Sequence, residues 1–376
     1  MNASTSVVYI ISNVNKAVAF EWIAEAFQKE PQGVKLQFVL LNKKKETSLS
    51  EALQAMGVEH YWIPLGGKSS YLSVLLKLIR KLRILRPQQV HAHLFEASLL
   101  GLLEARIAGV KRRIHTRHHS TYHHDYFPSA VKYDKIINGL STDVIAISQN
   151  VKNVLMQKEN LAEKKISLIE HGFPLKQFQE LRSDSANAMK SKYGIPGGKK
   201  VIGSISRYIQ WKGVDYLIDA FAKLLKEDPN YHLVLANASG SHQETIRKKL
   251  QQLNAASYTE IEFEEDLFGL YSIFDFFVHV PINREVEAYG QTYVEALAAG
   301  VPALFTLSGI ACDFVENEKN ALVVDYQNSK QIVEGLRRLN SDSELRDALI
   351  AQGLKDVQRF SLDQMLDKLR ALYLSS

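Results

Sequence analysis

Cysteine is almost absent from this 376-residue sequence. Cys312 stands alone, and a single thiol forms no internal disulfide. That excludes a disulfide-stapled scaffold and favours a reducing compartment or indifference to redox state. Long hydrophobic runs are missing too: no apolar stretch approaches the ~18 residues that a membrane-spanning helix needs. The apolar segment Val7–Ile11 is short and has no basic residues before it, unlike a secretory leader. Low-complexity tracts and short-period repeats are also lacking. What remains is 46% hydrophobic, 23% charged and 9% aromatic, a mixture that buries a core and excludes disordered and collagen-like chains. At about 150 residues per domain, the length predicts two domains or three. The expectation is a soluble cytoplasmic protein.

The formal charge of +5 hides an asymmetry. Residues 1–175 carry 23 Lys and Arg against 14 Asp and Glu, whereas the remainder carries 23 against 27. The first part, at +9, is drawn to anions: a nucleic acid, an anionic membrane surface or a phosphorylated substrate. No recognisable nucleic-acid-binding module accompanies the charge, which leaves nucleic acid out of the expected partners.

Short β-branched runs alternate with amphipathic helical patterns along most of the chain. Strands are predicted at Ser6–Ser12, Val34–Leu41, Glu59–Ile63, Gln89–Ala92, Arg113–Thr116, Val144–Ser148 and Ile166–Glu170, with helices such as Ala17–Lys29 and Tyr71–Leu85 between them. After a polar stretch, 178–200, the alternation restarts. Strands are then predicted at Val201–Ser206, His232–Ala236, Ile261–Phe263, Phe276–Val280, Pro302–Thr306 and Ala321–Val324. Repeated βαβ units imply parallel sheets. The economical architecture is two doubly wound α/β lobes, 1–175 and 176–357. Such lobes bind ligands beyond the carboxyl ends of their strands, and the cleft between two lobes is the default site.

The most informative segment runs from Glu287 to Pro302. Glu287 and Glu295 lie eight positions apart around a Tyr289-Gly290 turn, and Gln291–Ala299 is a strong helix former closed by Gly300. The backbone N–H groups at the start of that helix form an anion site, and Gly290 admits a ligand close to the main chain. A carboxylate on either side of an anion site suits a nucleotide-sugar, which carries hydroxyls on both sides of its phosphates. The second segment, Ser206-Arg207-Tyr208-Ile209-Gln210-Trp211-Lys212-Gly213, leaves the lobe's first strand. Its two cations can converge on a diphosphate, Arg as a fork and Lys as a point charge.

These residues together resemble the retaining GT-B glycosyltransferases of family 4. The likeness rests on Arg207, Lys212-Gly213, Leu270-Tyr271-Ser272 with Asp275, Glu287 and Glu295 enclosing Tyr289-Gly290, Ser308-Gly309, and Asn320-Ala321-Leu322-Val323. The resemblance implies a GT-B fold of two Rossmann-like lobes facing a central cleft. It also implies transfer of a hexosyl or N-acetylhexosaminyl group from a nucleotide-diphospho-sugar to a glycan or lipid-linked acceptor, as in cell-envelope polysaccharide synthesis. Arg207 and Lys212 would hold the donor diphosphate. Glu287 would contact donor-sugar hydroxyls, the main chain of Ala288, Tyr289, Gly290 and Gln291 would touch sugar and phosphate, and Glu295 would accept hydrogen bonds from the ribose. No metal and no cofactor is implied, and no Asp-x-Asp pair argues otherwise. Two other functions share the scaffold: a sugar-nucleotide epimerase or isomerase, and a non-catalytic nucleotide-sugar-binding protein.

The likeness extends into the first lobe through Pro87…Val90-His91-Ala92-His93, Val144-Ile145-Ala146-Ile147-Ser148 and Ile169-Glu170-His171-Gly172. Gln88 and His171 replace the family's acidic residue and asparagine. The first strand–helix turn, 12–16, lacks the family's glycine pair. Asn13, His93 and His119 are acceptor-side candidates. In the cluster from His115 to Asp125, Thr116-Arg117-His118 fits the register in which the family places a histidine facing the donor sugar, with His119 as the alternative. Imidazoles of this cluster together with Asp125 also suit zinc, and histidines near neutral pKa suit an acceptor site. The helix Tyr71–Leu85 is rich in both leucine and cations, so it either packs on the sheet or also meets an anionic bilayer; the second reading places the protein at the inner face of the membrane. Leu362–Leu374 reads as an amphipathic helix, and the resemblance assigns 358–376 to a return onto the first lobe.

Overall fold

The computed structural model describes residues 4–180 and 183–375. They form two compact units: residues up to Gly172 together with those from Leu362 onward, and Phe173–Ser361. The division thus falls three residues before the expected 175/176 boundary. The last crossing lies at 361/362, because Val357 and Phe360 of the 3₁₀ turn Val357–Phe360 are buried in the second unit.

In the first unit seven parallel strands form one sheet: β1 (Thr5–Ser12), β2 (Val34–Asn42), β3 (His60–Pro64), β4 (Gln89–His93), β5 (Arg112–Arg117), β6 (Asp143–Ala146) and β7 (Ile166–Leu168). Their order is β3-β2-β1-β4-β5-β6-β7. Runs such as Val7–Ile11 and Phe38–Leu41 are buried along their whole length, as strands covered by helices on both faces must be. The second unit holds six parallel strands: β8 (Lys200–Ile205), β9 (Tyr231–Ala236), β10 (Tyr258–Ile261), β11 (Phe276–His279), β12 (Ala303–Phe305) and β13 (Leu322–Val323), in the order β10-β9-β8-β11-β12-β13. This is the two-lobe α/β architecture of the GT-B fold.

Two sequence expectations shift. The strand expected at Ile261–Phe263 lies instead at Tyr258–Ile261, because pairing with Leu233–Ala236 of β9 fixes its register and leaves Phe263 exposed. The polar stretch 178–200 contains a helix, Ser183–Lys192. Its weak amphipathicity hid it from a periodicity reading.

The helix Leu362–Leu374 buries Met365, Leu366, Leu369 and Tyr373 in the first unit. A buried polar chain fixes it there. The Tyr373 hydroxyl lies 2.5 Å from that of Tyr9 and 2.7 Å from His91 Nδ1, and His91 Nε2 lies 2.7 Å from Thr116 Oγ1. Gln89 donates to the Tyr373 carbonyl at 2.6 Å. Buried polar groups linked in this way specify one docking geometry.

The helix Leu102–Ile107 follows a π-helical turn, Ala97–Gly101, and carries the fully buried Glu104, whose carboxyl oxygens have no hydrogen-bond partner. Burial pushes its pKa up to about 9. A carboxyl acid raised above its unfolded value stabilises the fold most below the unfolded pKa and loses that contribution as the pH rises toward 9. Glu104→Met is therefore expected to raise the melting temperature at pH 8.5 by several degrees, at ~2–4 °C per kcal/mol, and to change it little at pH 5. Thermal unfolding at the two pH values reads this out.

Candidate functional site

The second sheet reverses its winding between β8 and β11, the point at which doubly wound folds open a crevice. Arg207 and Lys212 follow β8, and Glu287 to Glu295 follow β11. The two loops meet because residue 213 is glycine: its φ is +71°, and a Cβ there would lie 1.9 Å from the Val280 carbonyl oxygen. Ile282 N–H then donates to the Trp211 carbonyl at 3.0 Å.

That contact brings Lys212 Nζ to 2.5 Å from Glu287 Oε1, with the lysine side chain 16% and the glutamate 6% exposed. The ammonium also lies over the Trp211 ring, 4.7 Å from its centroid. His279, the last residue of β11, places Nε2 3.1 Å from the same carboxylate oxygen. Burial alone would raise the Glu287 pKa. The Lys212 charge and the His279 hydrogen bond outweigh it and hold the carboxyl at about 2, so Glu287 is an anion at every physiological pH.

Gly290, at φ +82°, caps the helix Gln291–Ala298; a Cβ there would meet the Tyr293 ring at 2.7 Å. Ala288 and Gly290 are half-buried and Gln291 is exposed. The Tyr289 side chain is buried, packed beside Phe173 at 6.2 Å. Glu295 lies one turn into the helix, buried, and accepts from the Tyr271 hydroxyl at 2.8 Å. Burial pushes its carboxyl up to about 7 against that hydrogen bond. One anchored anion and one carboxyl poised near neutrality thus flank the helix start. Arg207 is exposed.

The first sheet reverses between β1 and β4. Asn13 follows β1 in the left-handed region, φ +54°, and is exposed. His93 ends β4 but is buried, its ring among Tyr9, Phe20 and His91. Its Nδ1 lies 3.2 Å from His118 Nε2, and the His118 ring stacks on His171 at 5.8 Å and 12°. A file of imidazoles therefore runs from the core to the sheet's carboxyl edge. Burial lowers the His118 pKa to about 3 and that of His171 to about 4, so both rings are neutral.

His119 belongs to a different group. Its Nε2 lies 3.3 Å from Asp134, whose other oxygen is 2.7 Å from His123 Nδ1. Arg117, fully buried, pairs with Asp134 at 3.2 Å and with Glu159 at 2.6 Å. The carboxylate that meets these histidines is Asp134 of the helix Val131–Leu140, not Asp125. His119, His123 and Asp134 converge within 4.8 Å, and each already holds a hydrogen bond that accounts for its position. His119 thus pairs with Asp134, whereas His93 meets His118.

The residue that the sequence reading missed is His279. Its signal was a lone imidazole ending the apolar run Phe276–Val278, eight positions before Glu287.

Family profiles match both units: "Glycosyltransferase Family 4" over residues 23–177 and "Glycosyl transferases group 1" over 185–356. The chain belongs to glycosyltransferase family 4. The capsular polysaccharide biosynthesis glycosyltransferase CapM of Staphylococcus aureus is 27% identical over 312 residues, covering 81% of each chain. An alpha-monoglucosyldiacylglycerol synthase of Streptococcus pneumoniae is 30% identical over 228 residues, 56% of this chain and 49% of that one. Among solved structures, Anabaena HepE in complex with UDP and glucose superposes with a TM-score of 0.83 at 16% identity, covering 98% and 99% of the two chains. A Rickettsia africae glycosyltransferase gives 0.81 at 20%, covering 98% of each. Membership makes this family 4 protein an enzyme of glycosyl transfer.

The neutral imidazole file has a thermodynamic signature. Histidines with lowered pKa stabilise the fold fully above the unfolded pKa near 6.5, and that contribution drains as the pH falls toward the folded values. The melting temperature is expected to fall between pH 7 and pH 5. His171→Asn should flatten that slope by up to one proton's worth, ~1.4 kcal/mol per pH unit, as calorimetry at several pH values would record.

Proposed function

We propose that this enzyme transfers a sugar, with retention of anomeric configuration, from a nucleotide-diphospho-sugar to a glycan or lipid-linked acceptor, and that it does so without a metal. The observation that carries this reading is the convergence of Lys212 and Glu287 at the second sheet's switch point, beside a glycine-capped helix start. A nucleotide-sugar needs three things there: positive charge for its diphosphate, amide donors close to the main chain, and carboxylates for its hydroxyls. The complexes of HepE with UDP and with UDP-glucose support a donor of this class.

As the bond from the anomeric carbon to the diphosphate oxygen lengthens, negative charge grows on the departing nucleotide. Lys212, the exposed Arg207 and the N–H groups at the start of the helix Gln291–Ala298 meet that charge, and fixed donors of this kind contribute ~10²–10³ in rate each. The acceptor hydroxyl enters from the face that the nucleotide leaves, which preserves configuration. Glu287 accepts from the donor-sugar hydroxyls. Glu295 accepts from the ribose, and that contact favours its ionised form. By the family resemblance, His118 is assigned to the donor sugar and Asn13, His93 and His119 to the acceptor side. The first unit is the acceptor lobe and the second the donor lobe.

Lys212→Ala is expected to lower transfer by ~10²–10³-fold and, because it leaves the buried Glu287 carboxylate without its counter-charge, to lower the melting temperature of a chain that still folds. The assay is release of nucleotide from a panel of nucleotide-sugars, with and without lipid-linked acceptors. Near-normal turnover would remove Lys212 from its assigned role, and conversion of the donor with no acceptor present would point to an isomerase.

We also place the first unit against an anionic bilayer. No described helix is long and apolar enough to cross a membrane. The helix Tyr71–Leu85, however, buries Val74, Leu78 and Leu82 on one side and exposes Leu72, Leu76 and Ile84 on another, among Lys77, Arg80 and Arg83. Tyr126, Phe127 and Ile136 are exposed further along the same unit. Basic charge near an anionic surface contributes ~1 kcal/mol per residue. Co-sedimentation with phosphatidylglycerol vesicles, but not phosphatidylcholine ones, is expected at low salt. Replacing Lys77, Arg80 and Arg83 by Gln should abolish it.

A further inference from the structure

We infer that His279 is a positioning residue for Glu287: its Nε2–H holds the carboxylate in the orientation that recognises the donor sugar. This rests on the proposed reading of Glu287 as a sugar contact and names the residue that fixes it.

The imidazole is 1% exposed at the carboxyl end of β11, with Nε2 3.1 Å from Glu287 Oε1. A carboxylate only accepts, so Nε2 carries the proton and donates. A neutral ring has one proton to give, which leaves Nδ1 bare; Nδ1 is buried and has no hydrogen-bond partner. A buried acceptor without a partner destabilises a fold, and Leu at this place would avoid that cost. The strand context, Phe276-Phe277-Val278 before it and Val280 after it, favours an apolar residue. The imidazole is therefore a structural liability whose compensation is its one contact with Glu287.

The surroundings lock the ring in that pose. Tyr293, from the helix Gln291–Ala298, meets it edge-on at 4.8 Å, and the Tyr293 hydroxyl donates to the Thr306 carbonyl at 2.9 Å. Thr306 N–H in turn donates to the His279 carbonyl at 3.2 Å. Two donors on one oxygen, Lys212 from the loop after β8 and His279 from β11, define the carboxylate plane more tightly than a flexible ammonium alone. The division of labour follows. Lys212 can be drawn toward a diphosphate, whereas His279, fixed in the sheet, keeps Glu287 oriented after the lysine has turned away.

The charged and titratable groups that face this carboxylate are Lys212, His279 and Tyr293. Removing the His279 donor leaves the Lys212 charge as the main counterweight to burial, so Glu287 should titrate at a higher pH in His279→Leu. His279→Gln restores an N–H near the Nε2 position.

The experiment compares wild type, His279→Leu and His279→Gln by calorimetric titration with UDP, UDP-glucose and GDP-mannose, together with thermal unfolding. The ¹³C shift of the Glu287 carboxyl is followed over pH. His279→Leu is expected to remain folded and to lose about tenfold in affinity for the nucleotide-sugar but little for UDP. It should also shift the Glu287 titration upward, and His279→Gln should recover most of each change. Unchanged sugar-nucleotide affinity and an unchanged Glu287 titration in His279→Leu would overturn the proposal. If the wild type takes up none of the three ligands, the donor-site reading falls, while the carboxyl titration still decides whether His279 sets Glu287.

Discussion

The second unit is organised around one buried ion pair. Glu287 is an anion in a nearly dry site, a condition that a protein sustains only when positive charge and hydrogen-bond donors surround the carboxylate. Lys212 supplies the charge and His279 a donor, and both arrive because two strands adjacent in the sheet are far apart in sequence. Gly213 is the steric condition for that meeting, since any side chain there would strike the Val280 carbonyl. The ordering of the loops after β8 and β11 thus follows from the need to keep one carboxylate paired.

Glu287 and Glu295 share a residue type and a helix neighbourhood, yet their environments drive them apart. The first lies beside an ammonium and is held far below the ordinary carboxylate range. The second has a single phenol donor, and burial dominates it. Two like groups flanking one helix start are therefore driven toward different charge near neutral pH by their surroundings.

Much of this was legible in the chain. The alternation of strands and helices gave thirteen strands in nearly the observed places, because β-branched runs buried on both faces leave an unmistakable apolar record. The Glu287–Glu295 segment and the Arg207–Gly213 loop were readable since their spacing is local. Tertiary partnerships were harder to see. His279 looked like one more strand residue until β11 stood beside β8. Asp134 was invisible as the partner of His119 and His123, because a helix fifteen residues downstream delivers it; Asp125, nearer in sequence, drew attention instead. Strand β10 slid by three residues because its partner β9, rather than its own composition, sets the register.

The terminal helix carries a consequence for how the protein is made. Its Tyr373 closes the hydrogen-bonded chain through Tyr9, His91 and Thr116, yet it is translated after the whole of the second unit. Until the residues after 361 emerge from the ribosome, β1 and β4 of the first unit therefore lack this cover, and the Tyr9 hydroxyl and His91 Nδ1 lack their Tyr373 partner. The second unit can complete its own core beforehand. Completion of the first unit's core thus waits on residues translated after the second unit, and incomplete cores that expose apolar surface are the species prone to aggregation.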